Sequence, residues 1–165
     1  MHENCRDAVV PLQLIDEKNN ISRFLGSAFC FGENSHYITA AHCVDGIDPS
    51  LIYIYSPLDS AIRHMLEVHI HPEADVAILK TLHRPESKIR KLANIFHGDP
   101  FGLDIAAFGY PEDIKFDADS KPTPRLFKGH IQRSYMHDSH LGFKYIANEL
   151  SFPCPPGLSG GQYIL

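Results

Sequence analysis

The chain has 165 residues, 44% hydrophobic and 21% charged, and carries a net charge of −5 with its 11 histidines neutral. That length suits one ordinary domain or two very small ones packed together, and the composition is that of a globular protein rather than a disordered one. Lys and Arg are scattered without the basic footprint of a nucleic-acid binder, no apolar run is long enough to span a bilayer, and the first seven residues lack the basic start and apolar core of a signal peptide.

Taken in order, residues 7–16 read as a first strand, with Val9, Val10, Leu12 and Leu14 in a largely apolar run, followed by a turn at 17–20. Residues 24–31 read as a second strand, and the Gly26-Ser27 pair inside it marks a close approach of backbone. Residues 36–40 form a third and deliver His42 at its end. Residues 51–55 alternate apolar and aromatic side chains and read as a strand. Residues 61–70 have mixed periodicity; a single strand is expected, with helix as the competing reading. Residues 75–81 complete a set of six strands with short turns, the pattern of a small closed antiparallel barrel.

Residues 82–101 change character. They carry the basic cluster Lys88, Arg90 and Lys91 and a Gly-Asp-Pro break, and read as a linker with one helical turn around 88–95. The basic cluster is a solvated face. Strands resume at 104–110, 126–135 and 143–150, with a polar, Pro-containing loop over 111–124, and residues 161–165 begin another strand. The expected organisation is therefore an N-terminal barrel over 1–81, a linker over 82–101, and a partial second barrel over 102–165.

Three stretches carry the chemistry. Pro153-Cys154-Pro155-Pro156-Gly157-Leu158-Ser159-Gly160-Gly161 sets a serine in a run almost free of side chains, where backbone N–H groups can approach a ligand. By itself this run reads more readily as a tight Pro/Gly turn between two strands. Thr39-Ala40-Ala41-His42-Cys43 places a histidine after a short apolar strand, and Asp75-Val76-Ala77-Ile78-Leu79 places an aspartate at the head of another. Singly, these are ordinary strand-end residues. Together, in the order His, Asp, Ser, they are the parts of a nucleophilic triad. A serine hydroxyl needs a base within hydrogen-bond reach; a histidine has the pKa to be that base; a carboxylate on its other nitrogen holds the tautomer and stabilises the imidazolium.

The three motifs resemble those of trypsin-like (chymotrypsin-fold) serine peptidases. The likeness runs over nearly the whole chain. It implies an all-β fold of two antiparallel barrels and a serine endopeptidase acting through an acyl-enzyme, with His42, Asp75 and Ser159 catalytic and a polypeptide as substrate. The oxyanion hole would come from the backbone N–H groups of Gly157 and Ser159. No cofactor is implied. Leu158 stands where digestive members carry the aspartate that pairs with a newly released N-terminus, so the resemblance is to non-zymogen bacterial and viral members. Pro153 stands where the base of the primary specificity pocket is usually set; being uncharged, it implies an apolar or small residue before the scissile bond. Only Gln162-Tyr163-Ile164-Leu165 follow Gly161, whereas members of the family continue through two further strands. The expectation is a fragment of a longer reading frame or a shortened form with an open second barrel, and self-association through the exposed C-terminal edge. A catalytically weak homologue acting as a peptide-binding or interaction module is the alternative.

The resemblance also frames the four cysteines. Secreted members bridge the histidine-motif cysteine to one placed just before a Gly-Ser pair, but here Phe24 and Leu25 precede Gly26-Ser27. A turn at 32–35 would set Cys30 opposite Tyr37, leaving Cys43 about 20 Å away along the strand, against the roughly 7 Å between Cα atoms that a disulfide allows. Cys154 lies one residue from a position bridged in secreted members, to a partner absent here. Four free thiols and a cytoplasmic, reducing location are expected. His69 and His71 flank Ile70 on one strand face with His64 nearby, which makes a zinc site conceivable. No Cys-x-x-Cys or His-Glu-x-x-His accompanies them, and surface histidines without a metal are the expectation.

Overall fold

The computed structural model describes residues 8–16, 21–31, 35–56, 60–82, 100–111, 123–138, 142 and 144–164. Its strands are β1 (Val9–Ile15), β2 (Ile21–Phe31), β3 (His36–Thr39), β4 (Ile52–Ser56), β5 (Ala61–His64), β6 (Glu67–Ile70), β7 (Ala77–Lys80), β8 (Asp104–Gly109), β9 (Arg125–Asp138), β10 (Lys144–Leu150) and β11 (Gln162–Ile164). Short 3₁₀ turns lie at Ala41–Cys43 and Pro49–Leu51. The all-β architecture expected from the sequence is the one observed. The linker 83–99, including its expected helical turn, and most of the loop after Pro111 lie outside the described residues.

The first seven strands form one antiparallel sheet in the order β5-β4-β1-β2-β3-β7-β6. Residues 61–70 are not the single strand expected from the sequence. They break at Met65, and the two pieces pair at opposite edges of the sheet, β5 with β4 and β6 with β7. At the corner Met65 N–H donates to Ile52 C=O while Leu66 N–H donates to Lys80 C=O, so consecutive residues tie the two edges together and curl the sheet toward a barrel. Met65 is buried, and its side chain joins the core formed by Val10, Leu12, Ala28, Tyr37, Ile52, Ile54 and Leu79. A corner of this kind relieves the sheet of its exposed edges.

The corner also separates the histidines. His64 packs against Tyr53 with ring centroids 3.8 Å apart and the planes tilted by 53°. His69 bonds Glu67, which also takes Lys80 across the β6–β7 pair, and His71 accepts from the Glu73 N–H. Among the described residues no group of three His, Cys, Asp or Glu side chains is placed to hold a metal ion.

The second sheet has four strands in the order β10-β9-β8-β11 and does not close. β9 is longer than its sequence pattern implies, and its outer part forms a ladder with β10 that leaves Met136 and Ile146 exposed. The sheets meet where Val9 of β1 packs with Phe108 and Tyr110 at the end of β8, flanked by Phe24 and Phe29, and the Tyr110 hydroxyl donates to Val9 C=O at 3.3 Å. No helix among the described residues is long and apolar enough to cross a membrane.

Register settles the described cysteines. Cys30 pairs with Tyr37, as the turn position predicts, and Cys30, Cys43 and Cys154 are free; Cys5 lies outside the described residues. Burial pushes the thiols of Cys30 and Cys43 up to about 11. A thiol reacts as its thiolate, and a raised pKa leaves that form scarce at neutral pH and recovers it only on approaching the raised value. Iodoacetamide at pH 8 should therefore modify exposed Cys154 in the folded protein and spare Cys30 and Cys43, while all three react once the chain is denatured without reductant. Mass spectrometry of the labelled peptides checks this, and protection of Cys30 and Cys43 in the denatured, unreduced chain would show a bridge.

Candidate active site

Strand register brings His42 and Asp75 together. β3 ends at Thr39, opposite Ala77, where β7 begins. Because the pair is antiparallel, the chain leaving β3 and the chain arriving at β7 occupy the same end of the sheet. The 3₁₀ turn Ala41–Cys43 tightens the backbone immediately after β3, buries Ala41 and Cys43 and turns His42 outward. Asp75 then holds His42 twice. Its Oδ1 accepts the His42 backbone N–H at 2.9 Å, and its Oδ2 lies 2.6 Å from His42 Nδ1. Two bonds to one residue fix the carboxylate as well as the ring. A neutral imidazole that donates Nδ1–H to a carboxylate presents Nε2 as its acceptor.

The serine run forms two successive tight turns. Leu158 N–H donates to Pro155 C=O at 3.1 Å, and Gly161 N–H donates to Leu158 C=O at 2.8 Å. Each turn has a glycine with positive φ at its third position, Gly157 at 88° and Gly160 at 77°, a conformation that glycine adopts without steric cost. Pro156 presets the second position of the first turn. Both turns leave the intervening amides directed elsewhere: among the described residues no hydrogen bond takes the N–H of Gly157 or of Ser159.

The serine loop is anchored to both sheets through one buried residue. Ser27 on β2 donates its N–H to Ser159 C=O at 2.8 Å and its hydroxyl to Gly157 C=O at 2.8 Å. The same hydroxyl accepts the Tyr110 N–H at 2.8 Å, and Ser27 C=O accepts Thr39 Oγ1 at 2.7 Å. The loop is thus tied to the strand pair that carries the histidine turn and to the end of β8. Gly26 leaves room for this approach: a Cβ there would lie 2.8 Å from Cys43 Sγ and 3.1 Å from Ser159 C=O. A Cβ on Gly160 would collide with Ser27 C=O and Thr39 Oγ1.

Leu158, beside the serine, is 1% exposed and packs over Gly109, where a Cβ would collide with it. Its side chain is an apolar peg seated on the end of β8, and β11 pairing with β8 (Gln162 opposite Phe108) continues the same attachment. Pro153 is exposed. A cleft of about 650 Å³ opens on the side of Asp75. It is lined by Ala74, Asp75 and Val76, by Ile105, by Tyr145, Ala147, Asn148 and Leu150 of β10, and by Phe152 and Cys154. The sequence reading marked Gly26-Ser27 only as a close approach and did not single out Tyr110 or Tyr145; nothing in local pattern distinguishes them from other strand tyrosines.

With this geometry in hand, solved structures of similar shape can be compared. The chain superposes on the Rv3671c protease in its inactive form with a TM-score of 0.69, at 18% identity, over 97% of this chain and 73% of that one. It superposes on the active form of the M. tuberculosis Rv3671c protease with a TM-score of 0.66, at 19% identity, over 97% of this chain and 66% of that one. The HtrA-type protease AlgW, solved with a decapeptide, gives a TM-score of 0.68 at 19% identity, over 98% of this chain and 53% of that one. The fold is the trypsin-like protease fold. The chain spans about half of AlgW and about two thirds of active Rv3671c, and its second sheet corresponds to an unclosed barrel. No protein-family profile and no curated protein matches the sequence.

Two substitutions test the anchoring. Ser27→Ala removes a hydroxyl that satisfies both Gly157 C=O and Tyr110 N–H, and it should lower unfolding free energy in urea by about 2–4 kcal/mol. Gly160→Ala meets both a collision and an unfavourable φ, and it should destabilise the serine loop more than Gly102→Ala, where positive φ is present but a Cβ meets nothing within 4 Å. Equal losses for the two glycine variants would show that the collision with Ser27 is relieved without cost.

Proposed function

We propose that the chain is a serine endopeptidase in which Ser159 attacks the scissile carbonyl. His42 takes the serine proton and returns it to the leaving amine, and Asp75 orients and stabilises the imidazole. The observation that carries this reading is the double hold of Asp75 on His42 at the end of the barrel against which the Ser159 loop is anchored. The uncommitted N–H groups of Gly157 and Ser159 support their role as the oxyanion hole, the donors that stabilise charge developing on the carbonyl oxygen. In this reading residues 1–81 supply base and carboxylate, residues 102–165 supply the nucleophile, and 82–101 link them.

The substrate is a polypeptide. AlgW, of similar shape, holds a decapeptide, and an extended peptide suits a site between two sheets. The uncharged Pro153 supports an apolar or small residue before the cleaved bond. Three free described cysteines support action in a reducing, cytoplasmic setting. The buried Leu158 supports a site assembled by folding alone, since an apolar peg seats the loop without an ion pair that must first be released.

A second reading, a peptide-binding module with weak catalysis, is favoured by the open second sheet. The cleft beside Asp75 and the outer position of β11 leave substrate backbone with little wall to lie against, and positioning supplies a large part of an enzyme's rate. An outer strand, as β11 is among the described residues, also invites pairing with a second copy of the chain.

A fluorophosphonate probe separates these readings, because it needs the triad and not the wall. Covalent labelling of the wild-type chain at Ser159, abolished by Ser159→Ala and lowered at least about a hundredfold by His42→Ala, is the expected result. Peptide turnover should be low and equally dependent on Ser159. Peptide binding without any labelling would favour the binding module, and labelling at another serine would overturn the assignment. Sedimentation over a range of protein concentrations should show association; a strictly monomeric chain would remove β11 as a pairing edge.

A further inference from the structure

The strands β9 and β10 form a ribbon with one free long edge. β8 pairs with β9 over residues 125–130 and β10 pairs with it over 131–138. Among the described residues β9 is the one neighbour of β10. On one face of the ribbon three cross-strand pairs follow one another: Asp138 with Lys144, Met136 with Ile146, and Ser134 with Asn148. Both polar pairs are closed within the ribbon. Lys144 Nζ lies 3.4 Å from Asp138 Oδ2, and the Ser134 hydroxyl donates to Asn148 Oδ1 at 2.7 Å. The apolar pair between them is left in solvent, Met136 at 67% and Ile146 at 71% exposed. On the other face Arg133 is ion-paired to Glu149. Edge strands that stay single are guarded by a proline, a bulge or an inward charge. Residues 144–148 hold no proline, and their register with β9 is unbroken up to Glu149. The one charge among them, Lys144, is already taken by Asp138. The edge also fronts the cleft beside Asp75. Ala147 and Asn148 are consecutive, so their side chains leave opposite faces of the strand. Both line the cleft, which therefore runs along the free edge of β10.

We propose that two copies of the chain join through this edge, β10 against β10, antiparallel, with Ile146 opposite itself. A two-fold axis normal to the sheet keeps each face continuous only when one residue sits on the axis, because a slip of one residue sends the side chains to the other face. Three central residues compete for that place. With Tyr145 on the axis, Lys144 would face Ile146 of the second copy. With Ala147 there, Ile146 would face Asn148 and Lys144 would face Leu150. With Ile146 on the axis every pair matches. Met136 and Ile146 of the two copies form one apolar stripe across four strands, since Met136 already stands opposite Ile146 within each ribbon. Tyr145 faces Ala147, large against small. Lys144 faces the neutral Asn148, and the Tyr145 hydroxyl stands diagonal to the Glu149 carboxylate of the second copy, a separation that long side chains span. No like charges face each other between residues 144 and 148 of the two strands. The two four-stranded sheets become one, and the cleft beside Asp75 gains a wall from the second copy.

The test locates the contact by cross-linking. In the full chain with Cys5 and Cys154 replaced by serine, Ile146→Cys sets two thiols opposite each other, with Cα atoms about 4.5–5.5 Å apart. That lies within the span of a disulfide, so mild oxidation should give a covalent dimer on a non-reducing gel. Met136→Cys, comparably exposed, stands three strand spacings from its mate, about 14 Å, and should give none. Sedimentation should show the wild-type chain in a monomer–dimer equilibrium. Ile146→Lys sets two charges opposite each other and should raise the dissociation constant at least about tenfold. Its urea midpoint, at dilutions where both chains are monomers, should match that of wild type, because Ile146 is exposed in the single chain. A strictly monomeric wild type overturns the proposal. So does cross-linking of Met136→Cys as readily as of Ile146→Cys. Association unchanged in Ile146→Lys also overturns it and moves the contact to another edge, such as β11. Neither readout uses cleavage, so a chain that never labels at Ser159 still tests β10 as the junction.

Discussion

The structure depends on the satisfaction of one buried serine. Ser27 is fully enclosed, and each buried polar group left without a partner costs about 1–3 kcal/mol. Here its N–H, C=O and hydroxyl reach Ser159, Thr39, Gly157 and Tyr110. Those four partners belong to the serine loop, to the strand that delivers His42, and to the end of the second sheet. Each bond is modest alone. Because they share one residue, they cannot be satisfied unless both sheets and the loop are in place together, so the site's geometry is coupled to the fold itself. Gly26 and Gly160 are the steric conditions for that coupling, since a Cβ at either would press on the groups that Ser27 joins.

The two halves of the molecule carry different kinds of precision. The first sheet has a continuous apolar core and joins its own edges at Met65-Leu66, and it therefore holds His42 and Asp75 on rigid strand ends. The second sheet is four-stranded and open, with long exposed stretches of β9 and β10. What it contributes with precision is confined to its junction with the first: Phe108 and Tyr110 against Val9, and Leu158 over Gly109. In the proposed reading, a site built this way aligns a proton-transfer pair and a nucleophile from the junction of the two sheets, while the surroundings of a peptide chain are left to the open second sheet.

Leu158 illustrates how the side chain next to Ser159 seats its loop. An ion pair in that place would make the loop's conformation depend on a charged partner arriving. A leucine buried on a glycine needs only the close packing that interiors supply, and its seat on Gly109 lies beside the β8–β11 pair.

Much of this was legible in the sequence. Strand existence followed from alternation, and the Cys30–Tyr37 register followed from the position of the turn, because a short hairpin leaves little choice of pairing. The histidine, aspartate and serine stretches pointed to one chemistry because each supplies a residue type that the others need. The break at Met65 was not legible: the mixed periodicity of 61–70 is the same whether the chain runs straight or turns a corner, and only the pairing partners at the two edges decide it. The roles of Ser27 and Tyr110 were hidden for the same reason. Their partners lie far away in the chain, and a hydroxyl's function is set by what surrounds it after folding. Local pattern determined the strands and named candidate reactive groups; antiparallel register, a bent strand and one four-bonded serine, all products of long-range contact, decided where those groups stand.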